Sequence, residues 1–235
     1  MRWIRAFLRL NASPGIALLA ALAIPPIAAA QTQSPNPTGR FAIVLDAAHG
    51  GDDMGGRLAS GQLEKAATLA FSVRLRSLLS ARGMTVTTTR ESDMTVDPPA
   101  RAQIANRSKA EACLSLHATE SGSGIHLFTS SLPPSQPTRF LAWKTAQSAF
   151  INRSLVLAGA LNSALLHDGF NVTLSRTALI AVDNMTCPAL AIEVAPARGP
   201  DGKVTAEPDD PDYQARIATS LATALLEWRM EPRQP

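Results

Sequence analysis

The chain reads as an α/β fold, a single-domain sandwich with a central, mostly parallel sheet flanked by helices. Two observations predict it. Short apolar runs of strand length alternate with longer segments of helical period, and several helical segments carry their own start and stop residues. Strand-like runs fall at 41–46, 84–89, 111–117, 124–130, 178–182 and 188–194.

The helices follow in order. Gln62 to Arg82 places Glu64, Ala67, Phe71, Leu75 and Leu78 on one face and stops at Gly83. Asp97 and Pro98 open a second helix as N-cap and first residue, and Asp210 and Pro211 open the last in the same way. Phe150, Leu157, Leu161 and Leu165 mark a long helix stopped at Gly169. These stripes are core packing and call for no cofactor.

Residues 1–30 read as a signal peptide. Arg2, Arg5 and Arg9 precede an apolar stretch from Gly15 to Ile27, and Ala28 to Ala30 form a small-residue cleavage site before Gln31. The stretch is short for a span, which needs about 20 residues, so no stable membrane span is expected after cleavage. An uncleaved anchor is the alternative. Residues 31–39 form a polar linker and 40–231 a single folded domain. The expected location is outside the cytoplasm, periplasmic or extracellular.

Loss of residues 1–30 changes the charge. The 22 basic residues of the full chain fall to 19, against 19 acidic ones, so the basic balance belongs to the targeting segment. No Lys/Arg stripe remains, and 5% aromatic residues offer little stacking surface, so no nucleic acid is expected as a partner. The two cysteines, Cys113 and Cys187, both precede or begin strands near one end of the sheet. Either a bridge or two buried thiols is open on this evidence.

Candidate chemistry gathers at strand ends. His49 follows the run Phe41 to Leu45 and enters a loop rich in Gly50, Gly51, Gly55 and Gly56. Ala112 to Leu116 likewise ends in His117. Glu64 sits on the apolar face of its helix, where an unpaired carboxylate is costly and calls for a cation or neutralisation. Two histidines and a glutamate form the ligand set of a catalytic zinc with an open fourth position. Pro188 to Ile192 runs into Glu193, a natural general base for amide hydrolysis.

Other polar residues carry a second, structural reading. Asp46 can orient a ligating histidine or make turn hydrogen bonds. Arg90 and Arg101 can hold a carboxylate of the substrate, or pair with Asp93 or Glu91. His126 alternates with apolar residues in a strand and can lie near the metal, or serve as a partly exposed structural histidine, the reading its position favours. Glu120, close to His117, is a rival ligand in a loop.

The order His49, Glu64, His117, Glu193, within LDAAHGG, QLEKA, CLSLHA and PALAIEV, resembles the zinc-dependent N-acetylmuramoyl-L-alanine amidases of the bacterial cell wall. The similarity runs from about Arg40 to about Trp228 and takes in TTRESD at 88–93 and RAQIAN at 101–106. It implies zinc held by His49, Glu64 and His117, catalysis by Glu193, and peptidoglycan as the substrate. Ala48, Thr119 and the segment Val194 to Ala197 depart from the family pattern, which bears on the groove and removes no ligand. The Pro-rich insertion at 132–149 lies where some members carry a regulatory segment, and an activator protein is a further possible partner. Two other functions remain open: a zinc peptidase or deacetylase on another wall amide, and a non-catalytic wall-binding or regulatory protein of the same fold.

Overall fold

The computed structural model describes residues 41–136 and 143–230. The expected signal peptide at 1–30 and linker at 31–39 lie outside the described residues, as do positions 137–142 of the insertion. Six strands form one sheet: β1 (Ala42–Ala47), β2 (Thr85–Thr88), β3 (Ala112–Ala118), β4 (Ile125–Ser130), β5 (Val172–Thr177) and β6 (Ala189–Val194). Among the described residues four α-helices accompany them: α1 (Glu64–Ala81), α2 (Pro98–Ser108) and α3 (Ile151–His167) connect strands, and α4 (Pro211–Met230) follows the last. The strand order is β2-β1-β3-β6-β4-β5. All neighbours are parallel except β4 and β6.

Each face of the sheet has its own cover, as a mostly parallel sheet requires. On one side Ile43, Leu45, Leu114, Leu116, Leu190 and Ile192 pack with α1, α3 and α4 in the main core. The stripe on α1 buries Glu64, Ala67, Phe71, Leu75 and Leu79, so it ends on Leu79, with Leu78 only partly buried. Burying side chains such as Phe71 and Leu75 stabilises the fold by roughly 1.5–3 kcal/mol each. The opposite side carries a smaller cluster of Val44, Ala102, Ala105, Cys113, Val182, Met185 and Cys187.

The caps form as the residue types require. Asp97 accepts a hydrogen bond from Ala100 N at 2.7 Å, and Asp210 accepts one from Tyr213 N at 2.8 Å. Within the insertion, Gln147 is buried and its amide donates to the carbonyls of Met185 and Cys187, both at 3.0 Å. That part of the insertion is a structural clamp on the segment before β6.

One expected strand is corrected. No strand spans 178–182; the fifth strand is Val172–Thr177, and 178–182 leads into a 3-10 turn at Val182–Asn184. The reason is position. The real strand lies at the sheet edge with Thr173, Leu174, Arg176 and Thr177 exposed, so it carries no apolar run. Leu179, Ala181 and Val182 are apolar because they pack as a loop on the smaller cluster.

Cys113 and Cys187 form a disulfide across a Cα separation of 6.2 Å and 74 residues of chain. In the chain-entropy account a loop of this length stabilises by about 4 kcal/mol. Cys113 lies four residues before His117 along β3, roughly 13 Å at the rise of a strand, so the bridge supports the sheet and not the site. The Cys113→Ala/Cys187→Ala protein is expected to melt roughly 5–15 °C lower while keeping its activity at 25 °C. Calorimetry with a parallel assay checks this, and an unchanged melting temperature would contradict it.

Candidate active site

His49 stands just beyond β1 with φ +62°, a left-handed conformation uncommon for a residue with a side chain. Two buried guanidinium groups hold it there. Arg101 donates to the carbonyls of Ala47 at 2.7 Å and His49 at 2.6 Å. Arg90 donates to those of Ala47 at 2.9 Å and Ala48 at 3.0 Å. Three consecutive carbonyls are thus fixed, and the imidazole is aimed by the backbone. Neither arginine pairs with Asp93 or Glu91: Asp93 binds Lys65, and Glu91 binds Arg76.

Glu64 is the first residue of α1, and only 7% of it is exposed. Its Oε2 lies 3.1 Å from His49 Nε2, and its Oε1 lies 3.0 Å from His117 Nδ1. Gly56 N donates to Oε2 at 2.9 Å and Ala118 N to Oε1 at 3.2 Å. Gly55 makes this approach possible. At φ +63° a Cβ there would meet His49 Cδ2 at 2.6 Å and Glu64 Oε2 at 2.7 Å.

The two rings stand perpendicular with centroids 5.5 Å apart. Ligand atoms of His49, Glu64 and His117 all lie within 4.8 Å of one another. Glu120 is an exposed loop residue outside that group. Each imidazole has a further polar neighbour. Asp53 Oδ1 is 2.9 Å from His49 Nδ1. Ser115 Oγ lies 3.5 Å from His117 Nε2 and donates to Asp46 Oδ2 at 2.8 Å. Asp46 therefore reaches His117 only through Ser115, while its other oxygen accepts from Arg101 and Thr89, both at 2.7 Å.

Burial alone would push the Glu64 carboxyl upward. The hydrogen bonds from His117, His49 and the Gly56 amide outweigh it and hold Glu64 well below the usual carboxylate range. His49 is raised, chiefly by its hydrogen bond to Glu64, against burial, with Asp53 adding to the rise. The pocket therefore attracts positive charge. A set of two imidazole nitrogens and a carboxylate oxygen, converging on one point and already charge-poised, fits a divalent cation of the zinc type.

The signs give a testable pH dependence. Without metal, the His49 contribution to stability is fully present below its ordinary 6.5 and lost as pH rises through the raised value. The Glu64 contribution is fully present above its ordinary 4.5 and lost as pH falls through the lowered value. Chelator-treated protein should be most stable between those two ordinary values. A metal held by this trio would have to displace the His49 proton, so the gap in melting temperature between metal-loaded and chelated protein should be wider at about pH 8 than at about pH 5.5. An equal gap at both would contradict the assignment.

Glu193 lies in direct register with His117 on the neighbouring strand, at the carboxyl ends of β3 and β6. It is also directly opposite His126 of β4, whose Nδ1 is 2.8 Å from Glu193 Oε1. The sequence offers His126 as a residue near the metal or a structural one, and its pairing with Glu193 is what the strand pattern does not show. Beside the histidines opens a cleft of about 380 Å³ whose walls include Pro98, Leu179, Ile180, Val182 and Ala191. The chain thus brings His49, Glu64 and His117 together, and sets Glu193 beside His117 without making it part of the converging trio.

Comparisons with known proteins place the chain in a family. The sequence profile of the N-acetylmuramoyl-L-alanine amidase family matches residues 43–227. The germination-specific N-acetylmuramoyl-L-alanine amidase of Bacillus subtilis is 27% identical over 213 residues, 82% of this chain and 81% of that protein. In fold, the chain is similar to the amidase AmiC2 of Nostoc punctiforme, with a TM-score of 0.61 and 21% identity over 81% of this chain and 97% of that one. It is similar also to Ami1 of Mycobacterium smegmatis, with a TM-score of 0.64 and 19% identity over 80% and 96%. Together with the ordered motifs on one mostly parallel sheet, the match across most of its length means that this chain belongs to the N-acetylmuramoyl-L-alanine amidase family.

Proposed function

We propose that the protein is an exported, zinc-dependent amidase that hydrolyses the bond between the lactyl group of N-acetylmuramic acid and L-alanine in peptidoglycan. One observation carries the reading: a buried carboxylate, Glu64, held between His49 Nε2 and His117 Nδ1, with Glu193 one strand away in register. His49, Glu64 and His117 would hold the metal. Bound there, zinc supplies Lewis acidity, polarising the scissile carbonyl and making water more acidic.

The chain's own groups do the rest. Glu193 takes a proton from water as its oxygen attacks the carbonyl carbon, then gives that proton to the alanine nitrogen as the C–N bond breaks. The second water proton also passes to that nitrogen, so the products are a lactyl carboxylate and a peptide with a protonated L-alanine amino terminus, and atoms and protons balance. Asp53 and the Ser115–Asp46 pair orient the imidazoles, as outer partners do at such centres. Pro98, Leu179, Ile180 and Val182 give one side of the cleft an apolar wall.

Export rests on the expected signal peptide and agrees with the disulfide, which persists in an oxidising compartment. Among the described residues no helix is long and apolar enough to cross a membrane. Digestion of purified peptidoglycan separates the functions. The amidase reading expects stem peptides with new L-alanine amino termini and intact, acetylated glycan. Free glucosamine amines would mean a deacetylase, cleavage within the stem a peptidase, and sedimentation with the wall without any product a binding protein.

A further inference from the structure

A general base at the end of a strand has a placement problem. The Glu193 side chain is 31% exposed, and a glutamate so placed has several staggered rotamers open to it. Misplacement by about 1 Å can cost roughly 100-fold in rate. Something must hold the carboxylate.

The sheet supplies the partner. Directly opposite residues on neighbouring strands project to the same face, so His117, Glu193 and His126 form a row across β3, β6 and β4. Glu193 is the middle member. The antiparallel pairing of β4 with β6 is what delivers His126 to this row, since it brings the beginning of β4 to the carboxyl end of β6. His126 Nδ1 then lies 2.8 Å from Glu193 Oε1, which leaves Oε2 for water and substrate.

The His126 ring is itself immobilised. The loop before β4 passes against it at Gly122, where φ is +82° and a Cβ would meet Cε1 at 2.7 Å and Nε2 at 3.1 Å. Phe128 stands edge-on to the ring, with centroids 6.2 Å apart. No side chain but glycine fits at Gly122 without moving the imidazole.

We propose that His126 is a positioning residue: its Nδ1–H donates to Glu193 Oε1, fixes the plane of the carboxylate and so aims Oε2 at the reacting water. The role rests on the reading of Glu193 as the proton carrier. His126 itself touches neither substrate nor metal. Its whole effect passes through Glu193, and that makes it testable.

The experiment compares His126→Leu, His126→Ala and His126→Asn, each in the parent enzyme and in the Glu193→Gln background, on a soluble muropeptide. Leucine keeps bulk against Gly122 and Phe128 but has no N–H; asparagine places an amide N–H near the site of Nδ1. His126→Leu should lower kcat roughly 10- to 100-fold with KM, zinc content and melting temperature unchanged, and His126→Asn should recover most of that loss. In the Glu193→Gln background His126→Leu should cost nothing further, because coupled residues are not additive. Equal fractional losses in both backgrounds, no loss of kcat, or a loss that follows zinc or melting temperature in both the leucine and alanine variants would overturn the positioning role. Normal turnover of Glu193→Gln alone would instead remove the base assignment on which it stands.

Discussion

Glu193→Gln is expected to hold zinc, stay folded and bind peptidoglycan fragments like the parent enzyme, yet turn over roughly 100- to 10,000-fold more slowly. Glutamine keeps the size of the side chain and an oxygen that can still accept from His126 Nδ1, now at 2.8 Å from Glu193 Oε1. It cannot take a proton from water. Steady-state kinetics with metal analysis read both properties. Loss of zinc would make Glu193 a ligand, and near-normal turnover would assign the proton transfer to another group.

Glu64→Ala is expected to lose zinc more completely than the roughly 10- to 100-fold weakening that follows loss of an outer-shell partner. Activity should fall in step with occupancy. The carboxylate does three things at once: it pairs with His49 Nε2, pairs with His117 Nδ1, and accepts from the backbone amides of Gly56 and Ala118. Truncation leaves two amides without their acceptor and two neutral imidazoles without the negative charge that offsets a cation. Isothermal titration of chelated protein with zinc checks this. Stoichiometric zinc in the purified variant would show that another acid, Glu120 or Asp53, is the third ligand.

Much of the fold was legible because its signals are local. Asp97-Pro98 and Asp210-Pro211 state a helix start in two residues, and both caps form. The position of Glu64 was legible for a different reason. A carboxylate on a stripe with Ala67, Phe71 and Leu75 contradicts its surroundings, and such a contradiction points to a polar partner arriving from elsewhere in the chain.

What was hidden depends on tertiary placement. The edge strand Val172–Thr177 displays only Val172 and Leu174 as apolar residues, too few to stand out, while the apolar loop at 178–182 imitates a strand. Arg90 and Arg101 bind backbone carbonyls of 47–49, and a carbonyl leaves no mark on the sequence. The meeting of His126 with Glu193 follows from the one antiparallel pairing in the sheet, which no residue of β4 announces. In each case the decisive fact is which segment lies next to which.

We propose that one metal ion, held by His49, Glu64 and His117, makes this chain an active amidase. The most direct test is elemental analysis of the purified protein, with its activity on peptidoglycan measured before chelation, after chelation and after zinc is returned. The expected results are one equivalent of zinc, release of L-alanine-terminated stem peptides, loss of both on chelation, and recovery of activity at one equivalent of added zinc. Full release of those peptides by protein stripped of metal would contradict it.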